Sequence, residues 1–152
     1  MIRFWLFLHL LGFTLWLGGG LASMVAGIAA RREARTALAP VVRMQVAIQK
    51  ILIAPGALVT VLSGLILTFS VTGRMDELAG FSLWLVIMQG AGLVAALLTL
   101  LIGLPTVNRL GRLDPAGPDA AFFDELRQRH RVIASISGTL GLVALLAGAM
   151  VR

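Results

Sequence analysis

Polar residues in this chain gather into a few short runs, and between them lie four stretches of almost unbroken apolar sequence: Phe4–Ile28, Ile51–Thr72, Phe81–Leu104 and Val132–Val151. Each is near the ~20 residues that an α-helix needs to cross the hydrocarbon core of a bilayer. The pattern predicts an all-α integral membrane protein, a four-transmembrane-helix bundle built as one domain from residues 1–152.

The connections carry their own signals. "RMQVAIQK" (Arg43–Lys50) has the polar spacing of a helix and predicts that the second span continues through it as one long helix. Pro55 would bend that helix, because it lacks an N–H and its ring clashes with the preceding turn. "GRLDPAGPD" (Gly111–Asp119) holds two prolines and two glycines and breaks structure. Asp119 is placed to cap a helix that runs "AAFFDELRQRHR" directly into the fourth span. The first span is longer than the roughly 7–15-residue core of a secretory signal. The "RREAR" after it reads as a stop-transfer flank, so the span is expected to be retained. No internal repeat or low-complexity tract stands out.

Composition agrees: 59% of residues are hydrophobic and 13% charged, against roughly 25% charged in soluble domains. The net charge of +6 is a topological signal rather than a nucleic-acid one, because the arginines flank apolar spans. One end of the bundle takes Arg31, Arg32, Arg35, Arg43, Lys50, Arg109, Arg112, Arg127, Arg129 and Arg131, and the other only Arg3, Arg74 and Arg152. Ten basic residues against three predicts a bacterial-type inner-membrane protein with both termini outside the cytoplasm.

The chain has no cysteine, which removes thiolate metal sites, disulfides and thiol nucleophiles together. Asp76 and Glu77 fall in the outer loop, and Asp114, Asp119, Asp124 and Glu125 fall in or beside the inner one. With no carboxylate in mid-membrane, a proton relay or cation pump is disfavoured. The methionines are scattered, as expected of gap-filling core residues.

The remaining candidate chemistry is "HLLGFTLWLGGG" (His9–Gly20). A titratable group within a span is by default a functional candidate. At ~100° per residue His9, Gly12 and Trp16 share a helical face, continued by Gly19, Gly20 and Ser23. Two readings compete for this stripe. Small residues let helices approach closely, with His9 bonded to a neighbouring backbone or hydroxyl. Alternatively, the glycines leave a groove for a planar macrocycle and His9 supplies an axial nitrogen.

Depth constrains any second ligand. His9 lies seven residues outward of Trp16, ~10 Å at the helical rise, while Met88 and Gln89 lie ~6–8 Å outward of the third span's midpoint. His130 lies roughly 17 Å inward of the fourth span's midpoint, so it cannot share one iron with His9 in a single chain. Set among "RQRHR", it is expected to be a solvated interfacial histidine. A second cofactor near Gln45, Gln49 or Asn108 is the minority reading for it.

Taken together, "HLLGFTLWLGGG", the basic connection, "APGALVTVLSGLILTF" and "FSLWLVIMQ" resemble the small four-helix membrane proteins grouped around the copper-resistance protein CopD and the HemJ-type protoporphyrinogen oxidases, a group with uncharacterised members. In the HemJ-type family the first-span histidine is implicated in binding haem b, and His9 is the matching position. That family also carries a functional lysine four residues after a third-span tryptophan. Here Trp84 is followed at that spacing by Met88, which departs from the oxidase pattern and leaves haem binding as the implied property. A CopD-like kinship implies copper handling instead, and copper(I) favours thioether and imidazole ligands.

The resulting expectation is a b-type haem protein in electron transfer or a related redox step, a haem-dependent membrane oxidoreductase if it is an enzyme. His9 would be the axial ligand, Gly12, Trp16 and Gly19 the pocket, and Met88 or Gln89 the opposite side. Its partners would be the bilayer, a second copy of the chain, and a quinone or a membrane or periplasmic redox protein. In a parallel homodimer the two His9 side chains lie at equal depth. Copper handling and a cofactor-free assembly subunit are the alternatives.

Overall fold

A computed structural model of the chain describes residues 1–72 and 83–151. Four helices long and apolar enough to cross a membrane make up the described residues: Ile2–Arg32, Arg35–Ser70, Leu83–Leu110 and Ala120–Met150. Their α-helical parts are α1 (Ile2–Ala29), α2 (Leu38–Ile48), α3 (Ala54–Thr72), α4 (Leu83–Leu97), α5 (Leu104–Leu110) and α6 (Ala120–Met150). The outer-loop residues Arg74, Met75, Asp76 and Glu77, and the expected start of the third span at Phe81, lie outside the described residues.

The long second helix is continuous, as "RMQVAIQK" predicts, and α2 joins α3 through a π-helical turn at Gln49–Ile53. A second π-turn, Leu98–Gly103, joins α4 to α5 and carries the third helix past the expected end at Leu104. Each turn ends two residues before a proline, Pro55 and Pro105. The Ala54 N–H bonds the Gln49 carbonyl, and the Leu104 N–H bonds the Thr99 carbonyl, five residues back in each case. A proline leaves the carbonyl four residues earlier without its donor, and the wider turn accommodates the gap without ending the helix.

α6 is likewise one helix from the prolyl loop to the far end, with Asp119 at its N-cap position but no side-chain cap bond. Within that loop the Asp114 Oδ1 accepts the Ala116 N–H at 2.9 Å, a local turn bond that an aspartate before proline and glycine favours.

Packing pairs the helices as two hairpins, α1 along α3 and α4 along α6, which meet through α3 with α4 and α1 with α6. Ala57, Ala95 and Ala96 are buried with Trp16 and Ile53 at the centre, flanked by Phe13, Leu100 and Leu140. Alanines at the contact let backbones approach, which matters where lipid gives no hydrophobic drive to helix association. A second cluster, Ala30, Leu38, Val42, Leu110, Phe123 and Leu126, closes the arginine-rich end. There the exposed Arg35 guanidinium pairs with Asp124 and donates to the Pro115 carbonyl at 3.2 Å, tying the two loops of that end together. Large apolar side chains such as Phe4, Phe7, Leu62, Phe69, Leu145 and Leu146 face outward, where the bilayer covers them.

Candidate functional site

On α1 the buried positions are Gly12, Trp16, Gly19 and Ser23, the stripe that the sequence singles out, with His9 one turn further toward the N-terminus. Gly20 leaves the stripe: a Cβ there meets nothing within 4 Å. The face is covered by the second span. A Cβ on Gly12 would stand 2.9 Å from the Gly56 carbonyl oxygen and 3.0 Å from the Thr60 nitrogen, and one on Gly19 would stand 2.9 Å from Ile53. Gly12 therefore lets α1 and the second helix touch backbone to backbone, Gly19 receives the Ile53 side chain, and the two leave no groove between the helices for a macrocycle. Trp16 is buried in the same contact, its ring edge-on to Phe13 at 6.3 Å.

His9 lies half-buried against α3. Its Nδ1 is 2.9 Å from the Thr60 carbonyl oxygen and 3.4 Å from the Ser63 hydroxyl. A carbonyl only accepts, so Nδ1 carries the proton and donates, which leaves the Nε2 lone pair free in the neutral ring. No hydrogen bond to Nε2 forms among the described residues. Gly64 makes the room: a Cβ there would come within 3.1 Å of the ring. The hydroxyls around the ring bond back into their own helix, Thr60 to the Gly56 carbonyl and Ser63 to the Val59 carbonyl.

The same face of α3 continues the polar seam. Thr68 donates to the Gly64 carbonyl at 2.9 Å and accepts from the Gln89 amide at 2.7 Å. Gln89 thus joins the seam one turn along α3 from His9 and spends its amide on Thr68. Met88, next in the chain and ~100° further round the helix, points away from the first hairpin and toward α6, the partner of its own helix. A Cβ on Gly148 of α6 would lie 3.0 Å from its sulfur. The expected pairing of Met88 across from His9 is not formed within the chain. Thr60, Ser63 and Gly64 are the neighbours that sequence reasoning missed, although "TVLSG" sets them three and four residues apart on one face.

His130 departs from expectation too. It is only 9% exposed and its Nδ1 has no partner, because the inward seam of α6 runs Phe123, Leu126, His130, Ser137, Gly141 at spacings of three, four, seven and four, which hold one helical face. The adjacent arginines turn to the surface and His130 does not. It lies toward the arginine-rich end and His9 toward the opposite one, so a shared iron in one chain is excluded, as the depth argument predicts. Of the residues suggested near His130, Gln45 donates to the Ser23 carbonyl at 2.9 Å, while neither the side chain of Gln49, a residue 4% exposed, nor the Asn108 Oδ1 has a hydrogen-bond partner among the described residues. Among the described residues no group of three or more histidine or carboxylate side chains comes together.

These features define a polytopic four-helix membrane protein with a single histidine fixed on a polar helix seam. Over residues 4–151 the chain matches the family described as predicted integral membrane protein (DUF2269), and it belongs to that family. No curated protein and no protein of solved structure is significantly similar to it.

Proposed function

We propose that the protein binds haem b in the membrane through His9 and serves electron transfer or a related redox step. One observation carries the reading: the Nδ1–H of His9 is committed to the Thr60 carbonyl, which orients the ring and leaves Nε2 as a ligand nitrogen. Metal-bound histidines characteristically donate their other ring N–H to such an acceptor. The residues therefore fit one axial ligand, and they do not fit a macrocycle slotted between α1 and α3, where Gly12 and Gly19 are already filled.

The haem belongs on the outer side of the first hairpin, where a second copy of the chain offers its own His9 at the same depth. Bound there, it would supply one-electron chemistry. Gly64 seats the ring, Thr60 and Ser63 hold its proton on Nδ1, and the exposed apolar side chains nearby exclude water. The resemblance to HemJ-type proteins supports His9 as the ligand. Met88 in place of their lysine argues for a carrier rather than their oxidase chemistry. The arginine-rich end faces the cytoplasm in this reading, at the inner membrane of a bacterial-type cell.

The test is the absorption spectrum of the protein purified from haem-replete cells. A Soret band lost in His9→Ala and kept in Met88→Leu, Gln89→Leu and His130→Ala is the expected result. A colourless protein that also fails to take up added haem overturns the reading. A cofactor-free assembly subunit is the second reading, favoured by the bare glycines Gly18 and Gly20, beside which nothing lies within 4 Å. CopD-like copper handling has weaker support, because Met88 is spent on Gly148 and Met24, Met44 and Met150 are exposed singly.

A further inference from the structure

A second site stands at the arginine-rich end, away from His9 and independent of it. A groove of about 230 Å³ opens there between the second and third helices, lined by Arg43, Val46, Lys50, Asn108, Gly111 and Arg112. Its closeness comes from Gly111, where a Cβ would lie 2.7 Å from Val46. Three side chains on the lining are cations and none is an acid, and the ion pair formed at this end, Arg35 with Asp124, uses none of them. Asn108 brings a different demand. Its Oδ1 is buried without a hydrogen-bond partner, and such an acceptor favours an occupant that brings it a donor.

Going outward from the groove, the same two helices expose Ile51 (69%) and Leu101 (67%), one on each π-turn. The groove is thus cationic at its mouth, holds a hydrogen-bond acceptor within, and gives onto apolar surface on the membrane side. An occupant has to carry negative charge, a hydroxyl donor and hydrocarbon in that order.

We propose that this groove binds an anionic phospholipid whose headgroup carries a free hydroxyl, of the phosphatidylglycerol class. Its phosphodiester meets Arg43, Lys50 and Arg112. A glycerol hydroxyl donates to the Asn108 Oδ1, and its acyl chains run along Ile51 and Leu101. Basic pockets between membrane helices favour such headgroups, each lysine or arginine near the surface adding about fivefold to the affinity.

The experiment is titration of the purified full chain in neutral detergent, with binding read by native mass spectrometry and by thermal unfolding. The probes are phosphatidylglycerol, phosphatidic acid, phosphatidylcholine, inorganic phosphate and glycerol 1-phosphate. One phosphatidylglycerol bound per chain in preference to phosphatidylcholine is expected. Lys50→Gln and Arg112→Gln, both at exposed positions and so not needed for folding, are each expected to weaken it about fivefold. The native chain is expected to prefer phosphatidylglycerol to phosphatidic acid as well, Asn108→Leu to lose that second preference, and Arg129→Gln, exposed on α6 and off the groove, to change nothing. Equal binding of phosphatidylcholine, saturation by inorganic phosphate or glycerol 1-phosphate at the affinity of the lipid, or equal weakening by Arg129→Gln overturns the proposal.

Discussion

A histidine held inside a membrane span has two ring nitrogens to satisfy, and in this protein the chain satisfies one. The Thr60 carbonyl accepts the Nδ1–H bond, and Nε2 is left without a protein partner among the described residues. The neighbouring glycines work by position. Gly12→Leu is expected to cost about 1–3 kcal/mol, because its side chain would run into the Gly56 carbonyl and the Thr60 nitrogen, which are backbone and cannot step aside. Gly18→Ala, beside which nothing lies within 4 Å, is expected to leave thermal unfolding in detergent unchanged. Comparing the two melting midpoints separates a crossing point from a lipid-facing glycine. The stripe itself is legible in the spacing of His9, Gly12, Trp16 and Gly19. What covers it is not, since periodicity says which residues share a face and nothing about the helix laid across it. His130 departs from its expected place for a related reason: the arginines beside it dominate the local composition, whereas its spacing of four from Leu126 and seven from Ser137 puts it on the inward seam.

At the scale of the helices, the spans were readable because apolar length alone determines them, and the joining of α2 to the second span was readable from the spacing of "RMQVAIQK". The π-turns were not. Pro55 announces a disturbance, but whether it becomes a kink or a widened turn depends on the register that packing demands on either side. Here Leu38 and Val42 must meet Phe123 and Leu110 at one end while Ile53 and Ala57 meet Trp16 at the other. One alanine inserted after Gln49 would rotate the α2 segment by ~100° about its axis and carry Leu38 and Val42 out of their cluster. That variant is expected to lose the monodisperse peak in size-exclusion chromatography. Pro55→Ala is expected to keep it, because the flanking contacts, and not the proline alone, hold the register.

For the molecule as a whole, the ten-to-three distribution of basic residues makes a prediction about sidedness that the fold by itself does not. The absence of cysteine makes it easy to check. A single cysteine introduced at Arg129, an exposed position on α6, is expected to react with a membrane-impermeant maleimide in inverted vesicles and not in intact spheroplasts. One introduced at Arg3 is expected to do the reverse, and the opposite pattern would reverse the topology assigned here.

The pairing of α1 with α3 and of α4 with α6 also bears on how such a chain matures. Each partner is the next span to emerge from the ribosome, so the first hairpin needs nothing from the rest of the chain to form its Gly12–Gly56 crossing. Assembly then consists of two local closures and one late docking along Ala57, Ala95 and Ala96. Few long-range searches are left to the finished chain, so a bundle this small has little occasion to meet a wrong partner while its interfaces are still bare.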